Sequence, residues 1–83
     1  ISVAFSLTDF ASEVTSMDQF GDDLYIGTMA GKLYRYDGNT VISIRDFEES
    51  IKEVHADQTL LYVLLRQSDN IFIYDGTNFV EII

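Results

Sequence analysis

The chain has 83 residues, a formal net charge of −9 and no cysteine. Its five Lys and Arg residues are scattered, so no basic patch can neutralise phosphates, and we expect neither nucleic acid nor a membrane as a partner. Hydrophobic residues make up 47% of the chain, which excludes a disordered polymer, and no apolar run approaches the roughly 20 residues of a membrane-spanning helix.

The chain opens on an alternating segment, residues 1–7, in which Phe5 and Ser6 fall on opposite sides. Such period-two patterning predicts a strand with one buried face. The same alternation returns at residues 41–45 and again at 79–83. We therefore predict three copies of one half-buried strand.

An internal repeat connects these copies. Leu24-Tyr25-Ile26 lies 37 residues before Leu61-Tyr62-Val63, and Tyr36-Asp37-Gly38 lies 38 residues before Tyr74-Asp75-Gly76. The offset changes by one residue within 66–69, and surface loops tolerate such insertions. The repeat therefore indicates two copies of one structural unit.

Each unit is predicted to contain four strands. The predicted strands are 15–20, 24–29, 32–36 and 41–45 in the first unit, and 52–57, 61–66, 70–74 and 79–83 in the second. The second strand of the later unit is apolar throughout, which predicts a strand covered on both faces. Asp37-Gly38 and Asp75-Gly76 predict tight hairpins, because Asp and Gly tolerate the positive φ of a primed turn.

Residues 46–54 also fit a helix. Asp46 could cap its start, Glu49 follows three residues later, and apolar residues recur at helical spacing. Against a helix, the segment is shorter than three turns, and the equivalent stretch contains Val14-Thr15-Ser16, which are poor helix formers. We favour a linker followed by a strand and keep the helix as the alternative.

Four antiparallel strands repeating every 37–38 residues have the size of a β-propeller blade. Leu24-Tyr25-Ile26-Gly27-Thr28 and Gly31-Lys32-Leu33-Tyr34-Arg35-Tyr36-Asp37 resemble the L-W-I-G-T and G-G-L-x-R-Y-D pattern of two-component-regulator sensor propellers. Residues 74–80 resemble the Tyr-Asp-Gly-x-x-Phe-Val repeats of bacterial and phage surface proteins. The I-G-T-x-x-G core resembles vacuolar-sorting tether propellers more weakly. In the second unit Leu64-Leu65 replaces Gly27-Thr28, a departure from the pattern.

The resemblance implies an all-β fold of two four-stranded antiparallel propeller blades plus one extra outer strand, as a fragment of a larger β-propeller. Residues 1–10 are then the outer strand of a preceding blade, 11–47 one blade and 48–83 the next. The alternative is a small, self-contained β-sandwich of a structural protein.

Few residues suggest chemistry. His55 is the single histidine, so no multi-histidine metal site can form. Asp18 with Gly21-Asp22-Asp23 lacks the spacing of a calcium loop. The recurring tyrosines at 25, 34, 36, 62 and 74 suit packing with a hydrogen-bonded hydroxyl better than ligand stacking. We expect no enzyme activity, no cofactor and no bound metal.

The predicted function is protein–protein recognition or scaffolding within a larger assembly, with other blades of the chain, other copies of it or another protein as partner. A ligand-sensing domain for a small molecule or glycan is the alternative. Loops 46–50 and 66–69 should open on one face of the stack. Glu48, Glu49 and Arg66 are the candidate partner contacts, and charge reversal at all three should weaken binding without lowering thermal stability.

Overall fold

The computed structural model describes residues 13–82 as two open, four-stranded antiparallel sheets with consecutive strands adjacent. Sheet 1 contains β1 (Val14–Phe20), β2 (Asp23–Thr28), β3 (Lys32–Tyr36) and β4 (Val41–Asp46). Sheet 2 contains β5 (Ile51–Ala56), β6 (Leu61–Leu65), β7 (Ile71–Tyr74) and β8 (Phe79–Ile82). These residues contain no helix, so the all-β prediction is confirmed. The predicted strand 1–7 lies outside the described residues.

The helix alternative for residues 46–54 is wrong. Asp46 ends β4, and its carboxylate accepts the Glu48 N–H at 2.9 Å, closing a turn instead of capping a helix. Glu48 has φ 64°, a left-handed conformation that a right-handed helix cannot contain. The Phe47 N–H donates to the Gly31 carbonyl at 2.8 Å. This segment is therefore a linker followed by β5.

The two sheets share a bulge in the first strand as well as their strand order. β1 has a bulge against β2 between Val14 and Ser16, and β5 has one against β6 between Ile51 and Glu53. Equal bulges at repeat-equivalent positions bend each first strand in the same way. The repeat in the sequence is therefore also a repeat in backbone structure.

The Asp-Gly hairpins form, but aspartate does not act there as predicted. Gly38 has φ 103°, whereas Asp37 is not among the residues with positive φ. The Asp37 carboxylate instead accepts the backbone N–H groups of Asn39 at 2.9 Å and Thr40 at 2.8 Å. The short aspartate side chain is suited to accept these hydrogen bonds and close the turn. Asp75 accepts the equivalent bonds from Thr77 and Asn78.

Sheet 2 packs one face against sheet 1. The shared core combines Tyr25 and Leu33 of sheet 1 with apolar side chains of sheet 2, namely Ile51, Val54, Leu61, Val63, Leu65, Phe72 and Tyr74. β2 is consequently the strand that is buried on both faces, from Leu24 to Thr28. In β6, Tyr62 and Leu64 are only half-buried. The prediction that the second strand of the later unit is covered on both sides is therefore wrong. One face of sheet 2 packs against sheet 1, and no sheet among the described residues covers the other face.

Candidate functional site

The three predicted partner contacts lie at the same end of the sheets. The linker before β5 meets the β6–β7 loop there, since the Arg66 N–H donates to the Ser50 carbonyl at 2.9 Å. Glu48 and Arg66 are exposed, whereas Glu49 is half-buried. The structure therefore brings the three residues together, but it does not leave them equally available to a partner.

Glu49 holds the β6–β7 loop. Its Oε1 accepts the backbone N–H groups of Gln67 at 3.0 Å and Ser68 at 2.9 Å. The Ser68 backbone hydrogen bond keeps the pKa of the Glu49 carboxyl below its usual range. Charge reversal at Glu49 removes these bonds as well as a surface charge, so a stability-neutral binding test uses Glu48 and Arg66 only.

Asp18 and His55 belong to the contact between the first strands of the two sheets. The Asp18 carboxylate accepts the Ala56 N–H at 2.8 Å and lies 3.8 Å from His55 Nδ1. Thr15 Oγ1 donates to the Ile51 carbonyl at 2.7 Å along the same strand pair. The Asp18 and Thr15 side chains thus satisfy backbone groups of β5 that face β1, which is a structural role.

The tyrosine hydroxyls bond to turns of their own sheet. Tyr36 and Tyr74 donate to the carbonyls of Gly38 and Gly76 at 3.1 and 3.0 Å, and Tyr62 donates to Asp57 at 3.2 Å. The prediction of packing with a hydrogen-bonded hydroxyl is confirmed for these three. Burial raises the pKa of Tyr25.

An exposed arginine, Arg45, contacts aromatic rings where the outer strands of the two sheets meet. The Arg45 guanidinium carbon lies 4.8–5.1 Å from the ring centroids of Phe47, Phe72 and Phe79. A guanidinium this close to aromatic faces is attracted by their quadrupoles. Sequence reasoning missed this contact, because only the stacking of the sheets brings Arg45 of β4 to Phe72 and Phe79 of the second unit.

The far face of sheet 2 is an apolar surface that the described residues leave open. Its side chains form two rows that continue across β6, β7 and β8. One row contains Tyr62, Ile73 and Val80, and the other contains Leu64, Ile71 and Ile82. We call these six residues the outer face. Val80 and Ile82 are 61% and 46% exposed, and the other four are half-buried.

The repeat gives this outer face a counterpart in sheet 1. Tyr25 and Gly27 occupy the positions of Tyr62 and Leu64, and both are buried in sheet 1. A Cβ at Gly27 would lie 2.7 Å from Ile51 Cγ2 and 2.9 Å from Val54 Cγ2. The glycine thus allows β5 to lie against β2, and Leu64 fills the equivalent space in sheet 2.

The described residues offer no enclosed chemical site. Residues 13–82 contain no cavity and no group of three or more His, Asp and Glu side chains placed to share a metal ion. No helix in that range is long and apolar enough to cross a bilayer. Comparison with protein-family models, curated proteins and solved structures finds no match to this chain. A function can therefore be proposed only from the residues and their packing.

Proposed function

We propose that this chain is a protein–protein interaction or scaffolding module whose sheets stack as propeller-type blades, and that the outer face is its main contact surface. One observation carries the proposal. Six apolar side chains stand in register on an open face, while the equivalent face of sheet 1 is buried by a neighbouring sheet. Contiguous apolar patches of this kind mark interaction sites on soluble proteins.

The propeller-type arrangement has its own support. Both units have the same strand order, bulges at equivalent places and a face-to-face contact in which the first strands lie side by side. A blade is a four-stranded meander that packs against its neighbours in this way. Stacked repeats each contact only their neighbours, so the outer face of sheet 2 is where a further sheet, a cap or a partner would bind.

In the test, the chain is immobilised, and the proteins that it retains are compared with those retained by its double variant Val80→Lys/Ile82→Lys. Both residues are exposed on an edge strand, where lysine disfavours pairing. Ile42→Lys is the matched control, because Ile42 holds the equivalent position to Val80 and is 40% exposed. We expect a partner that the control retains and the double variant loses. A chain that binds no protein, including itself, would contradict the proposal.

A second contact region is proposed at the loop end. Glu48 and Arg66 are exposed there, and their charges suit a polar interface rim. Reversing both, as Glu48→Lys and Arg66→Glu, should slow association with the partner and leave the unfolding midpoint unchanged. Binding that is unaffected at low salt would remove these residues from the interface.

A further inference from the structure

We infer that the contact between the Glu49 carboxylate and the β6–β7 loop, residues 66–70, is an acid-sensitive switch. The ionised carboxylate holds the loop against the linker before β5, and the loop opens when the carboxylate is protonated. The switch is a property of the free chain. Its effect on binding rests on the second contact region proposed above.

One side-chain oxygen accepts two backbone N–H groups at the tip of the loop, residues 67 and 68. Glu49 Oε1 accepts the N–H of Gln67 at 3.0 Å and the N–H of Ser68 at 2.9 Å, 18 and 19 residues further along the chain. Hydrogen bonds to an ionised acceptor are about twice as strong as bonds between neutral groups. Protonation of the carboxylate therefore weakens both bonds at the same time.

The tip of the loop depends on these two bonds for its order. The base of the loop is held by the backbone, because the Leu65 N–H donates to the Asn70 carbonyl at 3.0 Å and the Arg66 N–H donates to the Ser50 carbonyl at 2.9 Å. The tip lies beyond both of these bonds. Next to it, Asp69 has φ 59°, a left-handed conformation that is uncommon for a residue with a side chain. A loop held in this conformation relaxes when the bonds to the carboxylate weaken.

The linker that carries the carboxylate is anchored to sheet 1. The Phe47 N–H donates to the Gly31 carbonyl at 2.8 Å, and the Gly31 N–H donates to the Thr28 carbonyl at 3.1 Å. A Cβ at Gly31 would lie 2.9 Å from the backbone nitrogen of Glu49, so the linker lies directly against the β2–β3 turn. These backbone contacts do not titrate. Protonation therefore frees the loop and leaves the linker in place.

Hydrogen bonds determine the pH at which Glu49 is protonated. The Ser68 backbone N–H contributes most to lowering the pKa of Glu49 from 4.5, and the Ser68 hydroxyl and the Gln67 N–H lower it further, against the desolvation that raises it. The ionisable residues on the segments that meet at Glu49 are Asp46 and Glu48 in the linker, Arg66 and Asp69 in the loop, Lys32 at the start of β3 and Lys52 in β5.

The pH dependence has a definite sign. Because the folded-state pKa of Glu49 lies below 4.5, the loop is held above that pH and opens as pH falls through the folded-state pKa. Arg66 is exposed and precedes the tip of the loop, whereas Glu48 is exposed on the anchored linker. Acid therefore uncouples the two charges of the second contact region, and a partner bound there should dissociate faster.

The test is NMR spectroscopy of the chain from about pH 7 to about pH 3, a range that spans the titration of a carboxyl group. We expect the amide proton shifts of Gln67 and Ser68 to change together in one step below pH 4.5. Their protection from hydrogen exchange should fall about tenfold across that step. Circular dichroism over the same range establishes that the sheets remain folded.

Glu49→Gln keeps the side-chain length and an acceptor oxygen but cannot ionise. At neutral pH it should lower the protection of Gln67 and Ser68 about tenfold, and it should abolish the acid step at these amides. Glu48→Gln is the matched control, because it removes the neighbouring charge and leaves both bonds in place. Full protection at neutral pH in Glu49→Gln, or an acid step retained in that variant, would overturn the inference. The neutral-pH comparison decides even if acid unfolds the sheets.

The same variant separates the switch from the proposed function. With a partner that the immobilised chain retains, Glu49→Gln should dissociate faster at neutral pH. An open loop with unchanged binding would leave the switch standing and remove the loop end from the interface. Protected amides in Glu49→Gln together with intact binding would refute the switch and leave the proposed function standing.

Discussion

Gly27→Ala places one methyl group at the centre of the contact between the two sheets. Its Cβ would lie 2.7 Å from Ile51 Cγ2 and 2.9 Å from Val54 Cγ2, against about 3.5–4.0 Å for a relaxed carbon–carbon contact. Ile51 is fully buried, and its branched Cβ leaves little rotamer freedom. The contact can relax only if β5 moves away from β2.

The expected cost combines two opposing effects. Overpacking a well-filled core costs about 1–3 kcal/mol. Replacing glycine within a strand recovers about 0.5–1 kcal/mol of backbone entropy. Gly27 is not in a positive-φ conformation, so alanine adds no backbone strain. We therefore expect Gly27→Ala to lower the free energy of unfolding by about 1–2 kcal/mol.

A double-mutant cycle with Ile51→Ala identifies the cause. Urea unfolding followed by circular dichroism, at a concentration where the chain is monomeric, gives the four free energies. Ile51→Ala alone should cost about 2–5 kcal/mol, and because it deletes Cγ2, Gly27→Ala should cost less in that background by about 1 kcal/mol or more. An equal cost in both backgrounds, or a stabilising Gly27→Ala, would refute the proposed close approach.

Leu24→Ala and Leu61→Ala should each lower the free energy of unfolding by about 2–5 kcal/mol. The loss should be larger for Leu61→Ala, because Leu61 lies in the core between the sheets. A lower urea midpoint for Leu24→Ala than for Leu61→Ala would contradict this. The acid prediction concerns three aspartates that close turns, Asp37, Asp57 and Asp75. Backbone hydrogen bonds hold their pKa values below 3.8 in the fold, so their stabilisation is present above that pH and is lost as pH falls through the folded-state pKa. Urea midpoints measured from about pH 6 to about pH 2 should fall more steeply than in the triple Asp→Asn variant, which keeps an acceptor oxygen at each turn; equal slopes would contradict the assignment.

The strands could be predicted from the sequence because their signals are local. Alternation and turn residues placed β3 at 32–36, its observed range, and placed β5 at 52–57, one residue from Ile51–Ala56. The helix-like spacing around Asp46 was the main ambiguity. It was resolved by the turn at Glu48 and by the bond from Phe47 to Gly31, a tertiary contact that short-range periodicity does not contain.

The candidate site was less predictable because its residues acquire their roles through packing. Glu49 appeared to be a surface charge, yet its carboxylate holds the loop at Gln67 and Ser68. Arg45 is exposed, and its guanidinium nevertheless lies within 5.1 Å of the centroids of three aromatic rings. Arg45 reaches Phe72 and Phe79 of the other sheet, whereas Glu49 joins the linker before β5 to the β6–β7 loop of the same unit. The Arg45 contact depends on how the sheets stack and the Glu49 contact depends on the conformation of two loops, and the strand pattern predicts neither.

Differences between the two units support the proposal that the outer face is a contact surface. Among the positions of sheet 1 that face sheet 2 are Gly27 and Arg35, one without a side chain and one charged. Their equivalents on the outer face are Leu64 and Ile73. The open face is thus more apolar than the covered one, the reverse of what solvent exposure favours. A face that only met water would have no reason to replace arginine with isoleucine. The substitution pattern therefore favours a partner on sheet 2, and Leu64 indicates that this partner approaches sheet 2 less closely than sheet 2 approaches sheet 1.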